Sequence, residues 1–158
     1  MAASIAPLRY QFPVDAMLKG LKFHNRVWVG PAMAEVVVPH LEEHQFDVIT
    51  PLPLHRWRHG IRGYNQAAEI ARPLGRSCQK PVRHLLRRVR RTRPQSGLDA
   101  SSRRKNLRGA FKARATLMPE SVLLVDDVMT TGATLNEAAA TLRHAGVDTV
   151  IALTIARA

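Results

Sequence analysis

A chain of 158 residues, 46% of them apolar, is long enough to bury a hydrophobic core and fits one domain. Its 24 Lys and Arg against 12 Asp and Glu leave a formal net charge of +12, which favours anionic partners without choosing among nucleic acid, membrane surface and phosphorylated metabolite. The single cysteine, Cys78, excludes an intramolecular disulfide and a cysteine-based zinc cluster; MAASIAPLRYQF lacks a signal-peptide pattern and no apolar run reaches the ~20 residues that span a bilayer, so a cytoplasmic protein without membrane insertion is expected.

In chain order, PVDAMLKGLKFHNR (13–26) spaces Val14, Met17, Leu18 and Leu21 for an amphipathic helix, with Pro13 suited to its first position. PAMAEVVVPHLEEHQ (31–45) predicts a second helix that Pro39 must kink or interrupt. FDVITPLPL (46–54) reads as a buried strand with Val48 and Ile49 at its heart, stopped by two prolines, and IRGYNQAAEIARPLG (61–75) returns to helical period and is expected to end at Pro73 and Gly75. PVRHLLRRV (81–89) reads as another strand. After it, RRTRPQSGLDASSRRKNLRGAF (90–111) is polar, basic and aperiodic, which predicts a long mobile loop. SVLLVDD (121–127) predicts a strand, GATLNEAAATLRHAG (132–146) a helix closed by Gly146, and DTVIALTIARA (148–158) a last strand. Strands separated by helices predict an α/β fold, a doubly wound and mostly parallel sheet with helices on both faces; no repeat or separate linker interrupts it.

The chemistry concentrates at VLLVDDVMTTGAT (122–134), where an apolar strand ends on two acids. In an open parallel sheet ligands bind beyond the carboxyl ends of the strands, where Asp126 and Asp127 fall. Two carboxylates can accept hydrogen bonds from the two neighbouring hydroxyls of a ribose. Thr130, Thr131, Gly132, Ala133 and Thr134 follow at a helix start, where backbone N–H groups and the helix dipole favour an anion, Gly132 permits close approach, and the threonines add uncharged donors. That combination suits a phosphomonoester. The bland alternative is a threonine helix cap beside two solvated acids. Neither the GxxxxGK[ST] phosphate loop nor the GxGxxG dinucleotide fingerprint occurs.

VLLVDDVMTTGAT closely resembles the phosphoribosyl pyrophosphate (PRPP) motif of type I phosphoribosyltransferases. PLPLHRWRHGIRGYNQAAEIA (51–71) and RRVRRTRPQSGLDASSRRKNLRGAF (87–111) are similar to the corresponding segments of the ComF/GntX group, in the same order, and the likeness runs from about Tyr10 to the C-terminus. The resemblance implies a single phosphoribosyltransferase domain over 1–158, with about 1–45 forming a partial hood and about 90–109 a mobile lid. It implies an enzyme in which a base or amine displaces pyrophosphate from C1 of PRPP with Mg²⁺ present, Asp126 and Asp127 holding the ribose hydroxyls and residues 130–134 the 5-phosphate. Arg56, Arg58 and Arg62 fall at the pyrophosphate-loop position, and Arg90, Thr92, Gln95, Arg103 and Asn106 match the lid pattern. The roles of Asn65 and Gln66 stay open between ligand and loop packing. Two departures stand out: no four-cysteine zinc module is present, and Thr130 stands where purine-salvage members often carry an acid, so a protein-supplied base cannot be carried over.

No residue set is expected to hold a metal alone, and Mg²⁺ would arrive with pyrophosphate, keeping several waters. The pairs His40/His44 and His55/His59 are spaced for a transition metal but lack a third ligand nearby. Trp28 and Trp57 read as core or as base-stacking platforms. Two other functions compete with turnover of PRPP. One is a DNA-uptake protein that meets single-stranded DNA or other competence proteins through the arginine run at 83–108; the other is a PRPP sensor without catalysis. A homodimer is a further expectation.

Overall fold

The computed structural model describes residues 1–54, 63–90, 107–114 and 118–158. Its elements are β1 (Ala3–Ile5), β2 (Leu8–Arg9), α1 (Val14–Phe23), α2 (Val29–Val37) continued by a 3-10 turn at Val38–Leu41, β3 (Val48–Pro51), α3 (Gln66–Ser77), β4 (Leu86–Arg88), β5 (Phe111–Ala113), β6 (Ser121–Met129), α4 (Ala133–His144) and β7 (Thr149–Arg157). The principal sheet has the order β1-β7-β6-β3, with β2 also on β7, and every ladder in it is parallel.

Parallel strands covered on both faces read as continuous apolar runs, and the two central strands do so. Val122, Leu123, Leu124 and Val125 of β6 are all fully buried. Side chains of a strand alternate between faces. Leu123, Val125, Ile151, Leu153 and Ile155 therefore pack with α1, α2 and α3, while Val122, Leu124, Val150 and Ala152 pack with Leu135, Ala138 and Leu142 of α4. The α/β architecture with helices on both faces is the one the sequence pattern predicts. Among the described residues no helix is long and apolar enough to cross a membrane.

Two local expectations need correction, and one edge of the sheet had no expectation at all. The sheet's β1–β2 edge is not legible in the sequence, because the strands are three and two residues long and Pro7, which cannot donate to a ladder, lies between them. The segment 81–89 is not one strand: Val82 bridges Ile49 at the outer edge of β3, whereas Leu86–Arg88 pairs antiparallel with Phe111–Ala113, a strand that begins at the last residue of the stretch expected to be loop. Helix α3 does not stop at Pro73 or Gly75 but runs through both to Ser77.

Pro73 has no N–H to give the carbonyl of Glu69, one turn earlier. That carbonyl lies where α2 crosses: a Cβ placed on Gly30 would come within 2.4 Å of Glu69 O. Gly30 is thus required by contact rather than by conformation. On the far side of the helix, Gly75 meets Lys80 O and Val82 in the same way. Apolar burial on the other positions of α3, with Ile70, Ala71 and Leu74 fully enclosed, holds the helix through its missing bond. Gly30→Ala is expected to lower stability by about 1–3 kcal/mol through overpacking against backbone, outweighing a helix-propensity gain of at most about 1 kcal/mol. Urea denaturation checks it, and a midpoint equal to or above wild type would refute the crossing.

Candidate functional site

The site grows from the carboxyl end of β6. Asp126 stands opposite Thr154 of β7 in the parallel register, and the backbone of Leu52, just past β3, donates to Val125 O at 2.8 Å. The two acids are thereby held between neighbours on both sides. Asp127 N–H donates to Asp126 Oδ1 at 2.9 Å and Val128 N–H to Asp127 Oδ1 at 2.9 Å, so each carboxylate is oriented by the next residue's amide.

Asp126 is half-buried as a residue, but its carboxyl group is desolvated and feels the charge of Asp127 beside it. Desolvation first, and the charge of Asp127 second, raise its pKa well above the ordinary aspartate value. Nearby, two buried oxygens lack any hydrogen bond, Asp127 Oδ2 and Thr154 Oγ1. Unpaired buried acceptors and donors are uncommon in folded proteins, and a hydroxylated ligand is one kind of partner they can take.

Past Met129 the chain turns into α4. Thr130 and Thr131 are exposed, and Gly132, Ala133 and Thr134 are half-buried. Gly132 caps the helix at φ +72, a left-handed conformation that glycine adopts without strain; the space around it would admit a Cβ, with Met129 Sδ 3.5 Å away, so backbone angle is the constraint. No side chain caps α4, and the first turn of a helix has N–H groups without intrahelical acceptors. The threonine cap of the bland reading is therefore not the arrangement here. Asp126, Asp127 and residues 130–134 follow one another along the end of β6 and the turn into α4.

Other anticipated residues fall elsewhere. Arg56, Arg58, Arg62, Thr92, Gln95, Arg103 and Asn106 lie outside the described residues, as do Trp57, His55 and His59. Arg90 is exposed and its Nη1 donates to Arg108 O at 2.6 Å, fastening the base of the segment that β4 and β5 carry. Gly109 N–H completes that base by donating to Glu137 Oε1 of α4 at 2.6 Å. Asn65 is structural: its Oδ1 accepts from Ala67 N–H at 3.1 Å as the cap of α3, and its Nδ2 donates to Leu52 O at 3.0 Å. Gln66 is buried behind it, and Trp28 is 61% exposed rather than core.

Lys22 joins the site without warning from the sequence. Its Nζ lies 3.5 Å from Asp127 Oδ2, in ion-pair range. In KGLKF it reads as an ordinary polar position of α1, and no local pattern links it to a strand so far along the chain. Tyr64, whose hydroxyl donates to Leu21 O, ties the same end of α1 to the start of α3. Among the described residues no group of three or more His, Cys, Asp or Glu is placed to hold a metal ion. A concavity of about 500 Å³, lined by Leu41, Phe46, Asp47, Cys78 and Lys80 among others, lies at the opposite end of the sheet, beside the start of β3. Burial pushes the Cys78 thiol pKa up, away from nucleophilic character.

Residues 62–158 match the phosphoribosyl transferase domain family, and the chain belongs to it. Competence protein F of Haemophilus influenzae is 35% identical over 160 residues, covering 94% of this chain and 70% of that protein. DNA utilization protein YhgH of Escherichia coli is 32% identical over 150 residues, covering 89% of this chain and 66% of that protein. These relatives put the chain in the ComF group, and it spans about two thirds of their length. In fold it is similar to the adenine phosphoribosyltransferase of Thermoanaerobacter pseudethanolicus, with TM-score 0.52 and 15% identity over 85% of this chain and 84% of that one.

The raised pKa of Asp126 has a consequence for stability. The folded chain holds this proton to higher pH than the unfolded chain does, so stability falls as pH rises from the ordinary value of 3.8 through the raised folded value. Asp126→Asn removes that loss. Its urea midpoint is expected to exceed that of wild type at neutral pH, with the advantage shrinking as pH falls toward 3.8; an advantage that grows on acidification would contradict the assignment.

Proposed function

We propose that this chain binds PRPP at the carboxyl end of β6 and uses it as a phosphoribosyl donor, a base or amine displacing pyrophosphate from C1 of the ribose. The observation that carries the reading is the pairing of two crowded carboxylates with an uncapped helix start within one turn of chain. A vicinal diol donates two hydrogen bonds and brings no negative charge of its own to the acids. A 5-phosphate, by contrast, suits the N–H groups at the start of α4, on the side of the turn away from the acids. One ligand that carries both groups a short distance apart matches both halves.

In this reading Asp126 and Asp127 orient the sugar so that C1 faces the acceptor, and residues 130–134 fix the phosphate end. Positioning of this kind converts an encounter into a near-intramolecular reaction. The charge that develops on leaving pyrophosphate would be met by the arginines of 56–62 and by Arg90 and Arg103, with Gln95 as a neutral donor. Mg²⁺, held by ligand oxygens and water, would supply further neutralisation of the pyrophosphate. That assignment fits a site whose described residues offer two carboxylates and no third metal ligand. Residues 1–45 would serve as the hood over the acceptor, a role supported by Lys22 of α1 bordering Asp127.

Calorimetric titration of PRPP with MgCl₂ tests the binding step. The double variant Asp126→Asn, Asp127→Asn is expected to weaken binding by about tenfold or more, since hydrogen bonds to charged groups contribute about 1.5–3 kcal/mol each. Raised salt should weaken wild-type binding without abolishing it. Equal affinity of wild type and double variant would sink the assignment.

A second reading, contact with single-stranded DNA in DNA uptake, is favoured by the β4–β5 ribbon and accords with the names of the relatives. Arg87 stands directly opposite Lys112, both exposed, a like-charge pair that destabilises an isolated ribbon. Neither takes part in an ion pair of the described residues. Arg83, Arg90, Arg108 and Arg114 extend the exposed positive surface. Binding of a fluorescent oligonucleotide that falls steeply with salt, ignores PRPP and weakens in Arg87→Gln, Lys112→Gln supports this function; no binding at low salt excludes it.

A further inference from the structure

The Lys22–Asp127 contact carries an inference that rests on the ribose-phosphate reading and deepens it. Asp127 is 4% exposed. Its Oδ1 is taken by Val128 N–H, while Oδ2 is buried and makes no hydrogen bond, its neighbour in ion-pair range being Lys22 Nζ at 3.5 Å. An oxygen enclosed in this way can accept a hydrogen bond from a sugar hydroxyl only if what covers it withdraws. Lys22 is able to withdraw: its side chain is 36% exposed and sits on a flexible four-carbon stem in the last turn of α1. At the end of that turn His24 N–H and Arg26 N–H both donate to the single carbonyl of Gly20, at 3.0 and 3.2 Å. Yet the cation is not idle, because a buried carboxylate beside a second acid is strongly unfavourable without a counter-charge.

We infer that Lys22 is an exchangeable counter-cation: it neutralises Asp127 until the vicinal diol of a ribose phosphate engages Oδ2, then gives way, so that sugar binding is coupled to movement of the last turn of α1. The diol offers two neutral donors in exchange for one ionic contact. The ammonium group, released from Asp127, returns to water at the mouth of the same cleft. Because α1 belongs to the segment proposed as hood, the arrival of the donor sugar would loosen the wall against which an acceptor must fit.

The test compares ribose 5-phosphate with inorganic phosphate at fixed ionic strength, in wild type, Lys22→Met, Lys22→Arg and Asp127→Asn. The ratio of the two dissociation constants measures preference for the sugar and cancels the general effect of removing a positive charge. Lys22→Met is expected to raise that preference roughly fivefold, the scale of one partly exposed ion pair, and Lys22→Arg to return it to the wild-type value. A preference that is unchanged or reduced in Lys22→Met, while Asp127→Asn still abolishes it, overturns the exchange and makes Lys22 a bystander or a direct ligand group. No preference in wild type, unaltered by Asp127→Asn, would instead remove the ribose reading itself. Should Lys22→Met not fold, hydrogen exchange in the wild type decides. The amides of His24 and Arg26 are expected to exchange faster with saturating ribose 5-phosphate than with saturating phosphate, and equal or slower exchange overturns the inference.

Discussion

The arrangement around β6 depends on holding two carboxylates side by side at the end of a buried strand. Like charges at that separation oppose folding, and desolvation opposes it further. The structure meets this with two devices, an amide donated to each acid from the next residue and a lysine brought in from a distant helix, while desolvation and the charge of Asp127 hold the pKa of Asp126 above the ordinary aspartate value. A pair so disfavoured by itself and so closely supported by its surroundings is what a site retained for ligand chemistry looks like, since sites of this kind are commonly kept at the expense of stability.

The rest of the fold makes that crowding tolerable. β6 is flanked by parallel strands on both sides and covered on both faces, so its end cannot splay to relieve the repulsion. The close crossing of α2 and α3 at Gly30 sets the layer on which α1 lies, and Tyr64 fastens α1 to α3. On the other face, Glu137 of α4 holds the base of the β4–β5 ribbon, so the helix whose start faces the proposed phosphate also anchors the segment proposed as lid.

How much of this the sequence revealed follows from segment length. β6 and β7 are long and fully buried along their centres, α4 is long with one buried face, and their pattern alone defined an α/β sheet with the acids near a strand end. The start of α4 beside Gly132 was equally legible, because a glycine after a threonine-rich turn marks a helix boundary. β1, β2 and β5 are two or three residues long and carry no measurable period. Pro73 misled for a physical reason: local rules end a helix there, but tertiary burial of Ile70 and Leu74 carries it on. Lys22 was illegible in principle, since an ion pair between a helix and a remote strand leaves no local signature.

The central claim is that one ribose phosphate spans the acids of β6 and the start of α4. A crystal structure of the protein with ribose 5-phosphate tests it most directly. The account expects the two ring hydroxyls on Asp126 and Asp127 and the phosphate against the backbone of residues 130–134, with Lys22 drawn away from Asp127. A sugar phosphate seated instead on the exposed arginines of the β4–β5 ribbon, with Lys22 still on Asp127, would contradict it.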